Sequence, residues 1–575
     1  MDLLAWVLGL AVVASAHVAV SLDAVAPVQT KDEIGYLAAA RLLATGEGAG
    51  LLTPEYAGGY AAGWGLLTAP LWWLTSHPPT VYTASVAVDV VLSVLLLLPA
   101  TAVARLVGLR TPLAVLAATV CCVGAGRLGY TGYALPEPLL TVQLTTLLWL
   151  LLRLHQQPLG GTTARAGAST RAGTTAALAG TALLLAWLPT THARFLPTAV
   201  LGIAVLAWWA RTRRRPDGAA AVLVAAAGVA AGWWLNGHVE AVLYGDVARA
   251  EVAAEQLGGL RVADVLTLLV GHAWYAATAW LGLSVLGWWS AVTAAAVELR
   301  DRRPGPWTWL AVGSLLQLGV GAAYLSGRLD IGGRVDQLVY GRYGDPVWFV
   351  LALVGTAWLL GAARPARVLV AAGACLALLA PAALLVLRAN RDRVSGFVQL
   401  NVPGLEAWAW RVDDRFVVPW APATLLATAV LTVLAVAALR SGPGRAARAV
   451  AVGLTGVVLL GAALVAEQRN IEPRDAWIRS MFGVRALVQT RPGAPVLLVV
   501  DRPLLLSGNA LQWWLADRDT VVVEPGALPA AIGPGALVVG PSDLPPAGGQ
   551  PLGSDGTGRY TVWELGAAPG STVEP

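Results

Sequence analysis

Apolar residues run through this chain in long blocks, not in the alternating or three-to-four-residue rhythm of half-buried strands and helices. Each block approaches the roughly 20 residues that a helix needs to cross a bilayer. About thirteen blocks can be drawn, at roughly 3–22, 80–104, 112–127, 136–154, 173–189, 195–210, 218–236, 272–297, 307–326, 346–362, 367–387, 420–439 and 448–466. The predicted fold class is therefore a polytopic all-α membrane protein.

The polar positions between the blocks alternate in character. One set of connections is short and basic: Arg105 and Arg110; Arg153, Arg165 and Arg171; Arg211 to Arg215; Arg300 to Arg303; Arg364 and Arg367; Arg440, Arg445 and Arg448. Their acids are few, chiefly Asp217, Glu298 and Asp301. The positive-inside rule puts this set, and the N-terminus, in the cytoplasm of a plasma-membrane protein. The longer segments 23–79, 237–271, 327–345 and 388–419, with everything after residue 466, then face outward. A protein with its polar mass on one side is expected to work at that surface.

Composition agrees. The chain is 57% hydrophobic and 13% charged, with a mean hydropathy of +0.65, whereas a soluble protein carries about 25% charged residues. The net charge of +5 follows from the cytoplasmic arginines and does not point to nucleic acid. "ASA" at 14–16 resembles a signal-peptide cleavage site, but no basic residue precedes it and the apolar run continues past it, so 3–22 is kept as a span. Cys121, Cys122 and Cys375 all fall within predicted spans, leaving the tail to fold without disulfides. There is no internal repeat and no Cys/His metal spacing.

Residues 1–466 are thus expected to form a membrane domain with a first outer loop at 23–79, and 467–575 a small extracytoplasmic α/β domain. In the tail, "PVLLVVD" (495–501), "TVVVE" (520–524), "GALVVG" (535–540) and "RYTVWEL" (559–565) have strand patterns. "SGNALQWWLADR" (507–518) suggests a helix capped by Ser507, and the Pro/Gly-rich 541–558 a loop. Tandem tryptophans at 72–73, 208–209, 233–234 and 288–289 suit aromatic belts at span ends. Trp513–Trp514 can stack on sugar or, more simply, pack a helix on the sheet.

The stretch "QTKDEIGYLAAARLLATGEG" (29–48) holds the single lysine, Lys31, beside two acids. Thr30 and Glu33 make a capping box, Asp32 suits the positive helix end, and Gly46 the stop. That describes a capped interfacial helix. Yet an ionised carboxylate beside apolar surface is costly unless it is used.

"DEIGYLAAARLLATGEG", then "GGYAAGWGLLTAPLWWL", then "ALPEPLLTVQLTTLLWLLLR" resemble the front half of GT-C glycosyltransferases. More narrowly, they resemble the polyprenyl-phosphate-sugar-dependent enzymes related to protein O-mannosyltransferases and the aminoarabinose transferase of lipid A. The resemblance is clearest over about 25–200, and "LVYGRYGDPV" (338–347) is similar to a later Arg-Tyr element; "GGYAAGWG" departs from relatives that have prolines there. The motif positions fall on Asp32, Glu33, Tyr36, Gly46, Tyr60, Pro70 and Glu137. The resemblance implies a GT-C-like fold and sugar transfer, expected to be inverting, from a polyprenyl-phosphate donor to an acceptor hydroxyl on a glycan, protein or lipid, in cell-envelope synthesis among membrane lipids.

Such chemistry needs a base for the hydroxyl and cations for the departing phosphate. Asp32 is the candidate base, Glu33 a cap or divalent-metal ligand, and Glu137 a second acid or simply a helix-start residue. Lys31, Tyr36, Tyr60, Arg194 and Arg342 are candidates for donor binding. Lys31 can equally snorkel, Arg194 can anchor at the interface, and Arg342 can pair with Asp336 or Asp345. His192 and His272 fit the interface better than a metal site, and Asp89 should point into the bundle. A cofactor other than a divalent metal ion is not indicated, and the metal itself is undetermined. A transporter or flippase of lipid-linked sugars is the alternative, although such proteins show repeats and mid-membrane charges; a non-catalytic assembly protein is a third reading. The Ala-, Gly- and Arg-rich composition suggests a GC-rich, actinobacterial genome.

Overall fold

The computed structural model describes residues 1–22, 24–27, 31–47, 60–157, 168–244, 258, 260–326, 335–361, 365–392, 399–408, 410–412, 415–440, 446–468, 478–479, 482–499, 505–518, 520–523 and 534–566. The first half contains α1 (Asp2–Ala19), α2 (Lys31–Thr45), α3 (Ala62–Thr68), α4 (Pro70–Leu74), α5 (Pro78–Leu95), α6 (Leu97–Leu106), α7 (Thr111–Cys122), α8 (Ala125–Leu128), α9 (Glu137–His155), α10 (Ala168–Thr191), α11 (Leu196–Arg213) and α12 (Pro216–Tyr244). The second contains α13 (Val262–Ala279), α14 (Leu283–Arg300), α15 (Pro306–Ser326), α16 (Asp345–Gly361), α17 (Pro365–Asp392), α18 (Trp420–Arg440) and α19 (Ala446–Ala466).

Among the described residues, eleven helices are long and apolar enough to cross a membrane. The chain is a multi-pass membrane protein. Two of the expected spans, 112–127 and 346–362, form the shorter apolar helices α7 and α16.

The expected span 272–297 is not one helix. The chain turns at Trp280 to Gly282, with φ of 50° at Leu281 and 83° at Gly282, which separates α13 from α14. Hydropathy cannot show such a break, because the turn itself is buried and apolar. Helix α13 meets the loops at one end of the bundle: Gly271 lies against the Leu338 carbonyl, and Trp274 and Tyr275 bond to Thr424 and Asp345 near the starts of α18 and α16. Helix α14 packs on α16 through Gly287 and Gly355, whose backbones approach too closely for any side chain.

The same end of the bundle carries the C-terminal unit. Helices α20 (Phe482–Gln489) and α21 (Leu505–Trp514) accompany a five-stranded sheet of order β4-β3-β5-β7-β6, after a small β1–β2 hairpin (Trp410–Val412, Arg415–Val417). Strand β3 (Val496–Val499) pairs in parallel with β4 (Thr520–Val523) and β5 (Leu537–Pro541). Strand β7 (Tyr560–Leu565) is antiparallel to β5 and β6 (Gly549–Ser554). The four expected strands are present. The stretch 541–558, expected as a loop, contains β6, an edge strand with a bulge between Pro551 and Gly553. Its Pro and Gly fit an edge that a composition reading takes for a turn. Helix α21 starts two residues before Ser507, so that serine is not its cap.

Trp513 and Trp514 are fully buried, in the joint between this unit and the bundle. Trp513 donates to the Pro78 carbonyl at 3.0 Å and meets Trp72 edge-on at 5.6 Å. Trp514 donates to Val25 O at 3.4 Å and stacks on Phe482. Arg41 of α2 donates to Ala516 O at 2.8 Å. One apolar cluster runs from Leu37 and Ala38 of α2 into Leu498 and Val539 of the sheet. Helix α2, expected as a capped interfacial helix, is thus covered by the C-terminal unit. Truncating Trp513 to Ala should cost about 3–5 kcal/mol and release the unit, seen as faster hydrogen exchange in β3 and β5.

Candidate active site

Successive residues on a helix point about 100° apart, so Asp32 and Glu33 at the start of α2 go different ways. Glu33 turns into the bundle, where it is fully buried. Its Oε1 accepts from Tyr82 at 2.7 Å and from the Ala134 amide at 3.1 Å, which ties α2 to α5 and to the loop before α9. Thr30, its proposed capping partner, and the Lys31 side chain lie outside the described residues. Ala at position 33 would orphan both donors, at about 1–3 kcal/mol each. Gln keeps an acceptor, so thermal unfolding should fall clearly for Glu33→Ala and much less for Glu33→Gln.

Asp32 points the other way. Tyr60 donates to its Oδ1 at 2.9 Å, and Arg342 Nη1 to its Oδ2 at 2.5 Å. Gly35 makes the first contact possible: the Tyr60 ring lies where any Cβ at 35 would sit. Tyr36 is buried edge-on against Tyr60 and Trp64. The Trp64 ring nitrogen donates to Asp89 at 3.3 Å and the Leu135 amide does so at 3.4 Å, so Asp89 points inward as expected.

Arg342 lies between two carboxylates. Its Nε donates to Glu137 Oε1 at 2.6 Å while Nη1 holds Asp32; neither pair uses Nη2. Burial works against its charge, but Glu137 and Asp32 outweigh burial and hold it protonated well above the ordinary arginine range. The Gly341 and Arg342 amides donate to Asn401 O at 2.7 and 3.1 Å, and Asn401 bonds Asp336 at 2.7 Å. Asp345 accepts from Tyr130 and Tyr275 at 2.7 and 2.8 Å and from Trp280 at 3.4 Å. The local partners expected for Arg342, Asp336 and Asp345, are thus engaged elsewhere.

Exposure distinguishes the carboxylates. The Asp32 side chain is 31% exposed and that of Glu137 only 1%. Glu137 Oε2 has no hydrogen-bond partner among the described residues.

Arg194 completes the group. Its short turn, Ala193–Phe195, joins α10 to α11 and is held by its amide bonding to His192 at 3.5 Å. Its guanidinium sits 4.5 Å over Tyr343, within electrostatic reach of Glu137, Tyr36 and Arg342. The structure therefore brings together Asp32, Tyr36, Tyr60, Glu137, Arg194 and Arg342. Sequence reasoning missed Tyr82, Tyr343 and Gly35; Gly35 and Tyr343 lie inside the quoted motifs "DEIGY" and "GRYGD", which was the available signal. Among the described residues, no group of three or more His, Cys, Asp or Glu side chains is placed to hold a metal ion. The cation between Asp32 and Glu137 is the Arg342 guanidinium.

No protein-family model and no curated protein sequence matches the chain. Solved structures do. ArnT from Cupriavidus metallidurans bound to undecaprenyl phosphate aligns over 98% of this chain and 98% of its own, at 15% identity and a TM-score of 0.53. The chain has the fold of ArnT. The apo state of ArnT matches over the same shares at 14% identity and a TM-score of 0.53. The archaeal oligosaccharyltransferase AglB from Archaeoglobus fulgidus, in complex with an inhibitory peptide and a dolichol-phosphate, aligns over 94% of this chain and 69% of its own, at 11% identity and a TM-score of 0.43. Because the alignment with ArnT spans both chains, the ArnT-like fold includes the C-terminal unit as well as the bundle.

Proposed function

We propose that this protein is a membrane glycosyltransferase that moves a sugar from a polyprenyl-phosphate donor to an acceptor hydroxyl. The observation that carries this reading is the pairing of an open carboxylate, Asp32, with a buried arginine pinned from behind by a second carboxylate. Asp32 takes the hydroxyl proton as the acceptor oxygen attacks the anomeric carbon. The bond from that carbon to the phosphate oxygen breaks, and its electron pair leaves on the phosphate. Arg342 and Arg194 stabilise that charge. Attack opposite the departing phosphate inverts the anomeric centre.

Glu137 is too buried to meet an acceptor, so its role is to aim Arg342. Tyr60 orients Asp32, and Glu33 anchors the helix that presents it. The undecaprenyl phosphate bound by the ArnT structure supports the donor class. The arginine-rich connections support an extracytoplasmic site, with the C-terminal unit beside it, and cell-envelope glycan or glycoprotein synthesis is the setting we propose.

The test is sugar transfer from labelled polyprenyl-phosphate sugars by the reconstituted protein. Covalent transfer to an acceptor is the expected result. Movement of the intact labelled lipid across the bilayer without transfer would replace this reading with transport.

A further inference from the structure

Arg342 reaches two carboxylates with its side chain, but its backbone is held by groups that touch neither of them. The Gly341 and Arg342 amides both donate to Asn401 O, at 2.7 and 3.1 Å. The chain then folds back, with the Gly344 and Asp345 amides donating to Gly341 O at 2.8 and 2.9 Å. Two segments therefore fix the arginine: 341–345, which carries it, and 401–404, on which its amide rests.

One face of α13 supports both segments. Residues four apart on a helix share a face, and Gly271, Tyr275 and Ala279 have that spacing. Gly271 lies against the Leu338 carbonyl, just before the arginine segment. The Tyr275 ring fills the space that a side chain at Gly341 would need, and Ala279 does the same at Gly404.

Tyr275 also ties the two segments to each other. Its hydroxyl donates to Asp345 Oδ2 at 2.8 Å and accepts from the Gly404 amide at 3.1 Å. The residue is fully buried, so removing the hydroxyl would leave the Gly404 amide without that acceptor. Asp345 would keep other donors, Tyr130 at 2.7 Å and Trp280 at 3.4 Å. What Tyr275 adds is the link from Asp345 to Gly404.

We propose that Tyr275 is a positioning residue for Arg342, locking together the two segments that set where its guanidinium lies. A shift at Gly341 carries Arg342 with it, and Nε and Nη1 must meet Glu137 and Asp32 at 2.6 and 2.5 Å. The catalytic consequence rests on the transfer reaction proposed above; the hold on Arg342 does not.

The test is Tyr275→Phe in the full reconstituted chain, which keeps the ring on Gly341 and removes only the hydroxyl. A misplacement of about 1 Å can cost about 10²-fold, so this smaller loosening should lower kcat about tenfold with the donor KM little changed. Tyr130→Phe, which takes a donor from the same Asp345 oxygen but leaves the Gly404 link, should keep near-normal kcat. In the Arg342→Ala background, Tyr275→Phe should remove no further activity per folded protein, because there is no guanidinium left to aim. Equal losses in the two Phe variants, or a further tenfold loss in that background, would overturn the proposal. Hydrogen exchange at the Gly341 and Arg342 amides needs no sugar donor, and it should quicken in Tyr275→Phe. Unchanged exchange would also overturn the proposal. Quickened exchange in a protein whose wild type transfers no sugar would count against the proposed function and leave the hold on Arg342 supported.

Discussion

Asp32→Asn should reduce sugar transfer by about 10²–10⁴-fold while the protein stays folded. Asn has nearly the same shape, and its carbonyl can still accept from Tyr60. It cannot take a proton, and its amide faces Arg342 with a donor where an acceptor stood. The stability loss should be small, because Asp32 is the exposed member of the pair and solvent screens its charge. The loss should therefore appear in kcat, with the donor KM little changed, in membranes matched for protein level. Near-normal turnover would remove Asp32 as the base and leave the membrane glycosyltransferase class standing on wild-type transfer alone.

The second large effect is at Arg342. Replacing it with Ala leaves Glu137 buried without its cation, which should cost about 3–5 kcal/mol. Transfer should also fall by about 10²–10³-fold from loss of charge stabilisation on the departing phosphate. The two losses can be separated. Adding Glu137→Gln to Arg342→Ala removes the stranded charge, so thermal stability should recover in part while activity does not. Arg342→Lys should remain poor in both respects, because one ammonium cannot reproduce a fork that reaches two carboxylates through two different nitrogens. Full recovery of transfer in the double variant would show that Arg342 serves only to balance Glu137.

Much of this site was legible as parts. Asp32, Glu137, Arg194 and Arg342 each stand out as charges next to apolar runs. Their partnerships did not. Arg342 pairs with residues 205 and 310 positions away, whereas the acids near it in sequence, Asp336 and Asp345, are taken by Asn401 and by a Tyr130–Tyr275–Trp280 set. Long-range choice of this kind depends on which loops converge, and that information lies in packing. The bundle was legible because burying backbone in lipid leaves few architectures. The break at Leu281 and Gly282 was not, because a buried turn is as apolar as the helices it joins. In the tail, regular strands showed in their β-branched runs, but β6 was hidden by the Pro and Gly of an edge.

The buried tryptophan joint has a consequence in time. Arg41 on the helix that presents Asp32 is bonded to Ala516, which the ribosome adds 475 residues later. At about 5–20 residues per second, that interval is roughly half a minute to a minute and a half. Throughout it, α2 sits at the membrane with one apolar flank uncovered, even after every charged group of the site has been made. The helix is clamped only when the tail folds down on it. A ribosome that stops early therefore releases a chain that holds every charged group of the site but lacks the Ala516 contact that clamps α2.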